Sequence, residues 1–302
     1  MDMFDIIIIG GGAAGLAAAM YGGRLGLKTL LISEFLGGNM NFAHWVENYP
    51  GFESIKGMEL AEKLRAHAEK YKVEFLEEKV GKVERLEKGF LVHAAGAIYE
   101  GRSIILATGS EVRRLGVPGE REFEGKGVHY CALCDGPVYK DKVIAVLGGS
   151  DAAVKESLLL SQYAKKIYII HRGDSMRCES CNYQELLSKP KIEVIANTNV
   201  TEIMGDKLVN AVLLDSEYKG KRELHVDAVF VQIGMVPASQ LAEELGVKLN
   251  EKREVITDKD SKTDVLGVFA AGDVTNSSSK QIITGAGEGV KAAYSAYKYL
   301  KT

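Results

Sequence analysis

The sequence predicts an α/β protein with two parallel-sheet domains, one of them inserted into the other. One pattern occurs twice, at residues 5–32 and 142–170: a strand-like apolar run, a glycine-rich turn, a small-residue helix and a second strand. Strands that alternate with helices in this way are typical of a parallel sheet. Stretches 110–120 and 234–240, which contain glycine and proline, bracket the second copy. With 302 residues, the chain also has the length of two domains.

Composition and charge exclude several classes of protein. Thirty-eight Lys and Arg against 41 Asp and Glu give a net charge of −3, which argues against binding dominated by nucleic-acid phosphates. Hydrophobic residues at 46% and charged residues at 26% exclude general disorder. No apolar run approaches the roughly 18 residues of a membrane span, and the acidic N-terminus lacks the basic start of a signal peptide. We therefore expect a cytoplasmic protein that binds neither nucleic acid nor membranes.

The glycines of the first copy have the spacing Gly-x-Gly-x-x-Gly and follow four consecutive isoleucines at 6–9. Gly10 permits the tight turn, Gly12 lets the backbone approach a pyrophosphate, and Gly15 lets the helix pack on the strand. The helix then presents free N–H groups to the phosphates. Glu34 closes the second strand, where a carboxylate can accept hydrogen bonds from ribose hydroxyls. Together these features predict a dinucleotide site.

The second copy is a variant of the first. After Gly148, Ser150 stands at the place of the middle glycine and Ala153 at the place of the third. Three basic residues follow the second strand, where the first copy has an acid: His171, Arg172 and Arg177. Basic side chains at this place suit the 2′-phosphate of a dinucleotide, and a solvated basic loop would give the same pattern.

The remaining elements surround the two copies. Residues 58–71 have apolar side chains at helical spacing and predict an amphipathic surface helix. Further strands are predicted at 103–106, 226–233 and 268–273, and a helix is predicted from the glycine-rich run 285–289 to about residue 300. We therefore expect two Rossmann-like, three-layer dinucleotide-binding domains. The first is formed by residues 1–113 and 241–302, and the second, residues 117–236, is inserted in it.

The four cysteines form two Cys-x-x-Cys pairs, Cys131 with Cys134 and Cys178 with Cys181. Two nucleotide sites with such a pair suggest that electrons pass from one cofactor, through another, to a disulfide. Asp135 could donate a proton to a leaving thiolate, or serve only as the first residue of an Asp-Gly turn. Zinc held by four sulfurs is an alternative, but the 43 residues between the pairs exceed the usual zinc spacings.

The chain resembles the low-molecular-weight thioredoxin reductases over nearly its whole length. These proteins are FAD-dependent pyridine nucleotide–disulfide oxidoreductases. The motifs that carry the resemblance lie at 10–15, 37–39, 46–51, 107–109, 131–136, 148–153, 171–172, 270–273 and 280–281. The resemblance implies a homodimer that transfers electrons from NADPH, with NADH also possible, through FAD to a thioredoxin- or glutaredoxin-like protein. No metal is implied.

The resemblance also implies roles for individual residues. Cys134 would face the flavin, Cys131 would attack the protein disulfide, and Asp135 would be the acid. FAD would be bound by Gly10, Gly12, Ala14, Gly15, Glu34, Gly38, Asn39, Asn48, Ala107, Thr108, Gly109, Gly272, Asp273, Lys280 and Gln281. The nicotinamide dinucleotide would be bound by Gly148, Ser150, Ala153, His171, Arg172 and Arg177.

The chain departs from the family pattern at several positions. Asn39 and Lys280 stand where the family usually has Gln and Arg, and Ser150 replaces a glycine of the second turn. The family's His-Arg-Arg is here His-Arg-Gly, which ends at Gly173. These changes keep two alternatives open: a reductase with a different electron donor, and a dithiol oxidase that delivers electrons to oxygen. A third alternative, a non-catalytic flavoprotein, would not require Cys131, Cys134 and Asp135 beside the second glycine-rich turn.

Two further groups of residues have no place in the family pattern. Cys178 and Cys181 are interpreted as a local disulfide or two free thiols, with auxiliary redox chemistry or metal binding as alternatives. The histidines without ligand spacing are interpreted as surface or packing residues: His44, His67, His93, His129 and His225.

Overall fold

In the computed structural model, which describes residues 3–301, the chain folds into two units. The outer unit comprises Met1–Glu111 and Val236–Thr302, and the inserted unit comprises Val112–Met235. The helices are α1 Ala13–Arg24, α2 Gly57–Glu69, α3 Ala132–Asp135, α4 Asp151–Leu160, α5 Ser180–Leu187, α6 Gln240–Glu244 and α7 Ile282–Lys301. The strands are β1 Phe4–Ile9, β2 Thr29–Ile32, β3 Glu74–Leu76, β4 Val80–Arg85, β5 Phe90–Ala94, β6 Ala97–Leu106, β7 Ser110–Val112, β8 Val128–His129, β9 Val143–Leu147, β10 Lys166–Ile170, β11 Ile192–Ile195, β12 Val200–Gly205, β13 Val209–Tyr218, β14 Lys221–His225, β15 Ala228–Val231, β16 Met235–Pro237 and β17 Val268–Ala270.

The outer unit contains a seven-stranded sheet in the order β3-β2-β1-β6-β5-β4, with β17 also pairing with β6. Strand β6 is long enough to take part in both antiparallel and parallel pairing. Its first half pairs antiparallel with β5, and its second half pairs in parallel with β1 and β17. Strand β1 pairs in parallel with β2 on its other side, so the strand order reverses at β1. Ligands of such sheets bind at the carboxyl ends of the strands beside this reversal.

Strand β1 is buried on both faces, as a central parallel strand should be. Ile6 and Ile8 are fully buried in a core shared with α1 and α7. Ile7 and Ile9 are buried in a second core, which includes residues of β4 and β5. Side chains of a strand alternate between its faces, so the four isoleucines supply both cores of the outer unit.

The inserted unit repeats this plan on a smaller scale. Its five-stranded sheet, β11-β10-β9-β15-β8, is entirely parallel. Ile144 and Val146 of β9 pack in one core with residues of α4. Ala145 and Leu147 pack in another core with residues of the antiparallel sheet β12-β13-β14. Each unit therefore has a helical layer, a parallel sheet and an antiparallel layer.

The chain passes between the units through β7 and β16, which pair with each other in a two-stranded sheet. Hydrogen bonds continue on either side of this pair, from Ala238 N to Gly109 O at 3.0 Å and from Arg113 N to Gly234 O at 2.9 Å. The stretches interpreted as linkers, 110–120 and 234–240, thus contain short strands. The ladder of hydrogen bonds keeps the start and the end of the insertion side by side.

The predicted fold class, α/β with two parallel sheets, is confirmed. Element boundaries differ by a few residues: the strand expected at 103–106 is the second half of β6, and α7 begins three residues before the glycine-rich run. The antiparallel strands β4, β5 and β12 to β14 were not predicted. Between residues 3 and 301, no helix combines the length and the apolar composition that crossing a membrane requires.

Candidate active site

A cleft of about 770 Å³ opens in the outer unit at the carboxyl ends of β1, β2 and β6. Thirteen of the predicted FAD-binding residues line it: Gly10, Gly12, Ala14, Glu34, Gly38, Asn39, Ala107, Thr108, Gly109, Gly272, Asp273, Lys280 and Gln281. The other two, Gly15 and Asn48, are not lining residues. This cleft is where the order of the sheet predicts a ligand.

The glycine turn after β1 shows why three glycines stand there. Gly10 has φ +108°, and a Cβ on it would lie 2.2 Å from Ala107 O. A Cβ on Gly15 would lie 1.8 Å from Gly10 O, so only glycine lets the helix pack this closely against the turn. At Gly12, the N-cap of α1, a Cβ would have no heavy atom within 4 Å. Gly10 and Gly15 are therefore required by the fold, whereas Gly12 leaves free space before the helix N-terminus.

Polar side chains join the loops on the far side of the cleft. Asn39 Nδ2 donates to Ser110 O at 3.1 Å, and Ser110 Oγ donates to Asp273 Oδ2 at 3.3 Å. Asn48 Nδ2 donates to Gln281 Oε1 at 3.0 Å, which places Asn48 behind a lining residue. Burial raises the pKa of Asp273 above its usual range, although the charge of Lys280 acts in the opposite direction. The structure thus brings together residues that are far apart in the sequence.

Two basic residues of the cleft were not predicted. Lys79, just after β3, lies with its Nζ 3.9 Å from Glu34 Oε2, and both side chains are exposed. Arg253 lines the same cleft and pairs with Glu243. A lysine that follows a strand at the carboxyl edge of a parallel sheet was the available signal for Lys79. Nothing in the sequence near Arg253 marks it as part of the site.

The second glycine-rich turn has the same construction in the inserted unit. Gly148 has φ +144°, and a Cβ on it would lie 2.0 Å from Gln232 O. Ala153 is fully buried beneath the turn. Ser150 is the N-cap of α4, and its side chain makes no capping hydrogen bond. The first N–H groups of α4 therefore keep the arrangement that binds phosphate in such turns.

The predicted basic residues differ in exposure. Arg172 and Arg177 are exposed, and within residues 3–301 their side chains form no hydrogen bond or ion pair. Arg177 N donates to Gly149 O at 2.7 Å, which holds the 177 segment beside the turn. His171 is buried, and its Nε2 has no hydrogen-bond partner among the residues described. A Cβ on Gly149 would lie 3.0 Å from His171 Nδ1, so the imidazole fills the space behind the turn.

Cys131 and Cys134 form a disulfide with a Cα–Cα distance of 5.4 Å. Cys131 is the N-cap of α3, and its Sγ accepts a hydrogen bond from Cys134 N at 3.1 Å. The two residues between them are helical, and this conformation holds the cysteines at the spacing that a disulfide needs. In the disulfide the two sulfurs are bonded to each other and are not the thiolates that zinc binds.

Asp135 has a partner that was not predicted. Its Oδ2 lies 3.2 Å from His129 Nδ1, and His129 Nε2 lies 2.7 Å from the hydroxyl of Tyr139. His129 is 8% exposed, whereas the Asp135 side chain is 39% exposed. Burial lowers the pKa of His129, although the negative charge of Asp135 acts in the opposite direction. The lowered pKa favours a neutral imidazole. Burial and the Asp135 charge raise the pKa of Tyr139, so its hydroxyl keeps its proton.

A second acidic residue, Glu156 of α4, contacts the first residue of α3. Its Oε2 accepts a hydrogen bond from Ala132 N at 2.7 Å, the first N–H of α3. Burial raises the pKa of Glu156 to about 7, and the negative charge of Asp135 acts in the same direction. Neither His129 nor Glu156 could be found from spacing, because each contacts α3 from another element.

The second cysteine pair is not bonded. Cys178 is partly buried and Cys181 exposed, and both are free thiols. Burial raises the pKa of the Cys178 thiol, and the charge of Asp151 adds to this effect. Among residues 3–301, no three or more His, Cys, Asp or Glu side chains are grouped so that they could hold a metal ion.

Comparison with known proteins gives the same family at the levels of sequence and structure. The pyridine nucleotide-disulphide oxidoreductase family model matches residues 4–295. A thioredoxin reductase of Bacillus subtilis is 40% identical, with 99% of this chain and 95% of the relative covered. Crystal structures of thioredoxin reductases from Lactococcus lactis and T. acidophilum superpose with TM-scores of 0.94 and 0.91, each at 36% identity and with 99% of both chains covered. The chain therefore belongs to the thioredoxin reductases, within the pyridine nucleotide-disulphide oxidoreductase family.

Proposed function

We propose that the protein reduces the disulfide of a thioredoxin- or glutaredoxin-like protein, with electrons that come from NADPH through FAD. The observation that carries this proposal is the Cys131–Cys134 disulfide, which lies in the inserted unit only 14 residues before Gly148 of the second phosphate-binding turn. A redox-active disulfide beside one dinucleotide turn, in a chain with a second such turn, is what this electron path requires. The thioredoxin reductases that the chain resembles support the choice of partner.

The residues of the outer cleft fit FAD. The free space before Gly12 and the N-terminus of α1 suit a pyrophosphate. Glu34, at the end of β2, suits a ribose, and the residues about Asp273 and Lys280 would hold the flavin side. The chemistry that FAD supplies when bound is the acceptance of two electrons from a nicotinamide and their release to a disulfide.

The second turn fits a nicotinamide dinucleotide in the same way. The N-terminus of α4 after Ser150 is available for a pyrophosphate. Arg172 and Arg177 are exposed cations with no competing ion pair in the described chain, which suits a 2′-phosphate and supports NADPH over NADH.

The chain's own thiols and Asp135 would carry the exchange. The reduced Cys131 thiolate attacks the partner's disulfide, which forms a mixed disulfide and releases one partner thiolate. Cys134 then attacks Cys131 Sγ, which restores the Cys131–Cys134 bond and releases the second thiolate. The two thiols lose two protons and the two released thiolates gain them. Asp135 would take a proton from a thiol and give it to a leaving thiolate.

Anaerobic stopped-flow mixing tests the donor and the path together. NADPH should bleach the flavin absorbance of the holoenzyme rapidly, and NADH should do so more slowly. Arg172→Ala and Arg177→Ala should weaken the binding of NADPH more than that of NADH. Arg121→Ala, at an exposed arginine of the same unit, should change the binding of neither nucleotide. A flavin that neither nucleotide reduces would contradict the proposed donor.

A second candidate is the same reduction with a donor other than a nicotinamide. Gly173 in place of a phosphate-binding arginine, and the Ser150 side chain at the mouth of the turn, favour it. In that case the reduced enzyme should still reduce thioredoxin after chemical reduction by dithionite, with no response to either nucleotide. A homodimer and a cytoplasmic location stay predictions.

A further inference from the structure

A chain of three hydrogen-bonding groups lies next to the redox disulfide, within the inserted unit. Asp135 ends α3, one residue after Cys134, and its Oδ2 contacts His129 Nδ1. His129, on β8, contacts the hydroxyl of Tyr139 through Nε2. The imidazole is also fixed by packing, with its ring centroid 5.3 Å from those of Tyr139 and Phe230.

The directions of these hydrogen bonds follow from the chemistry of the groups. A neutral imidazole has one N–H and one bare nitrogen. A carboxylate can only accept, so Nδ1 carries the hydrogen and donates to Asp135. Nε2 then accepts from the Tyr139 hydroxyl. The carboxylate thus selects the tautomer with its hydrogen on Nδ1, and the Tyr139 hydroxyl, which can donate or accept, donates to the bare Nε2.

The two oxygens of Asp135 are therefore not equivalent. Oδ2 is held by His129, whereas Oδ1 forms no hydrogen bond to any residue from 3 to 301. A proton that Asp135 takes up is favoured on Oδ1, because the His129 N–H stabilises negative charge on Oδ2. Oδ1 is thus the oxygen available to exchange a proton with a sulfur.

We propose that His129 is a positioning residue for Asp135: its Nδ1–H holds Oδ2, so that the acid presents Oδ1 for proton exchange with the cysteine and partner sulfurs. Tyr139 supports this role by donating to Nε2, which stabilises the imidazole form that has its hydrogen on Nδ1. The proposal rests on the proposed function, in which Asp135 exchanges protons with sulfur. It assigns a role to a histidine that spacing alone gives no reason to choose.

Other titratable groups face this chain and must be separated from it. Glu156 of α4 bonds to Ala132 N and lies near Asp135, and Asp227, before β15, acts on Tyr139 through its charge. The dependence of the thiol–disulfide exchange rate on pH is therefore measured for each His129 variant with and without Glu156→Gln. A difference that disappeared with Glu156→Gln would belong to Glu156 and would contradict the role given to His129.

Two substitutions of His129 separate its donor from its packing. His129→Phe keeps an aromatic ring against Phe230 but removes the donor to Asp135. His129→Asn loses the ring but keeps an N–H₂ group at about the place of Nδ1. If His129 positions Asp135, the Phe variant is the slower one. If it only packs, the Asn variant is the slower one.

The measurement is the single-turnover reaction of the pre-reduced holoenzyme with a nitrobenzoate disulfide reagent, followed by the released thiolate from pH 5 to pH 9. We expect His129→Phe to be slower by roughly tenfold at pH 8. The loss of this donor should also change the shape of the rate–pH profile, because the profile follows the proton exchange that the substitution disturbs. Tyr139→Phe should be slower by roughly two- to threefold, and His129→Asn should regain most of the wild-type rate.

The controls decide between the outcomes. His225→Phe, at an exposed histidine of the same unit, should leave rate and profile unchanged. Flavin content and the urea midpoint of each variant establish that it is folded. A folded His129→Phe with the wild-type profile, or an Asn variant slower than the Phe variant, would overturn the proposal. Because the reagent is a small disulfide, failure to reduce thioredoxin would count against the proposed function and leave this result intact.

Discussion

Cysteine pairs with the same spacing have different environments in this chain. Cys131 is the N-cap of α3, so the two residues that follow it are helical and bring Cys134 within bonding distance. Cys178 lies one residue before the N-cap of α5, and that N-cap, Glu179, is extended with ψ 139°. The motif is the same, but its register on the helix differs by one residue. A Cys178–Cys181 bond would require a different backbone conformation at Glu179.

This difference predicts the effect of removing each thiol. Cys131→Ser and Cys134→Ser should abolish turnover with a protein disulfide, because each removes one sulfur of the exchange. Cys178→Ser and Cys181→Ser should keep turnover within about twofold of wild type, since neither thiol is bonded and Cys181 is exposed while Cys178 is only partly buried. Steady-state assays of the four variants check this. A loss at Cys178 as large as that at Cys131 would make the second pair part of the electron path.

Glu156 should make stability depend on pH. Its folded-state pKa of about 7 lies above its ordinary value of 4.5, so folding favours the protonated form. The resulting stabilisation is complete below pH 4.5 and is lost as the pH rises through 7. Glu156→Gln keeps an oxygen that accepts from Ala132 N but does not titrate. The free-energy advantage of wild type over this variant should therefore fall between these pH values, by about 3 kcal/mol at most.

Urea unfolding at a series of pH values measures this advantage. Glu217→Gln, at an exposed carboxylate of the same unit, is the control and should show no such trend. An advantage of wild type over Glu156→Gln that stayed constant from pH 4.5 to pH 8 would show that Glu156 titrates as an ordinary carboxylate.

At the scale of elements, the glycine turn after β1 contains one glycine that the fold requires, Gly15, and one that we expect only a ligand to require, Gly12. Gly15→Ala would place a methyl group 1.8 Å from Gly10 O, so it should lower the free energy of unfolding by about 3 kcal/mol or more. Gly12→Ala adds a methyl group to open space at a φ of −72°, which alanine accepts. It should change the stability of the flavin-free protein by less than about 1 kcal/mol. It should still weaken FAD binding by roughly tenfold or more, because the methyl group occupies space before the phosphate-binding amides.

Flavin titration and urea unfolding of the flavin-free proteins test this pair of variants. If Gly12→Ala bound FAD as tightly as wild type, the turn after β1 would not be the pyrophosphate site. If Gly15→Ala were as stable as wild type, the helix would have room to move away from β1.

The elements that the sequence predicted are those with a local signal. The four isoleucines and the glycine spacing that follows them lie within ten residues, so β1, its turn and α1 could be placed from the sequence. Strands β4 and β5 gave no such signal, because only one residue of β4 is buried and the burial of both strands depends on the antiparallel pairing of β4 with β5 and of β5 with β6. The contact of His129 with Asp135 depends on how α3 folds back beside β8, which no spacing rule contains.

At the scale of the whole molecule, each unit has its own pair of cores. The two cores of the inserted unit contain only residues between Val112 and Met235, and the two cores of the outer unit contain only residues outside that range. Because β7 and β16 pair, the ends of the insertion are adjacent. Replacing residues 113–234 by a short glycine-containing turn should therefore leave an outer unit that folds and binds FAD.

Flavin retention after gel filtration, and a single cooperative unfolding transition, would verify this expectation. Residues 112–235 expressed alone should likewise unfold cooperatively, without flavin. An outer unit that precipitates without the insertion would show that its cores are not sufficient. In that case the two units would have to be treated as one folding unit.

The insertion also determines the order in which the chain can fold as it is synthesised. Strand β17 and helix α7 supply one strand of the outer sheet and part of the core around Ile6, yet they follow all of the inserted unit in the sequence. A ribosome therefore releases the complete inserted unit while the first 111 residues still lack their last strand and helix. The part of the protein that begins to emerge first is the part that finishes folding last. The disulfide-bearing unit is thus complete before the cleft in the outer unit is closed.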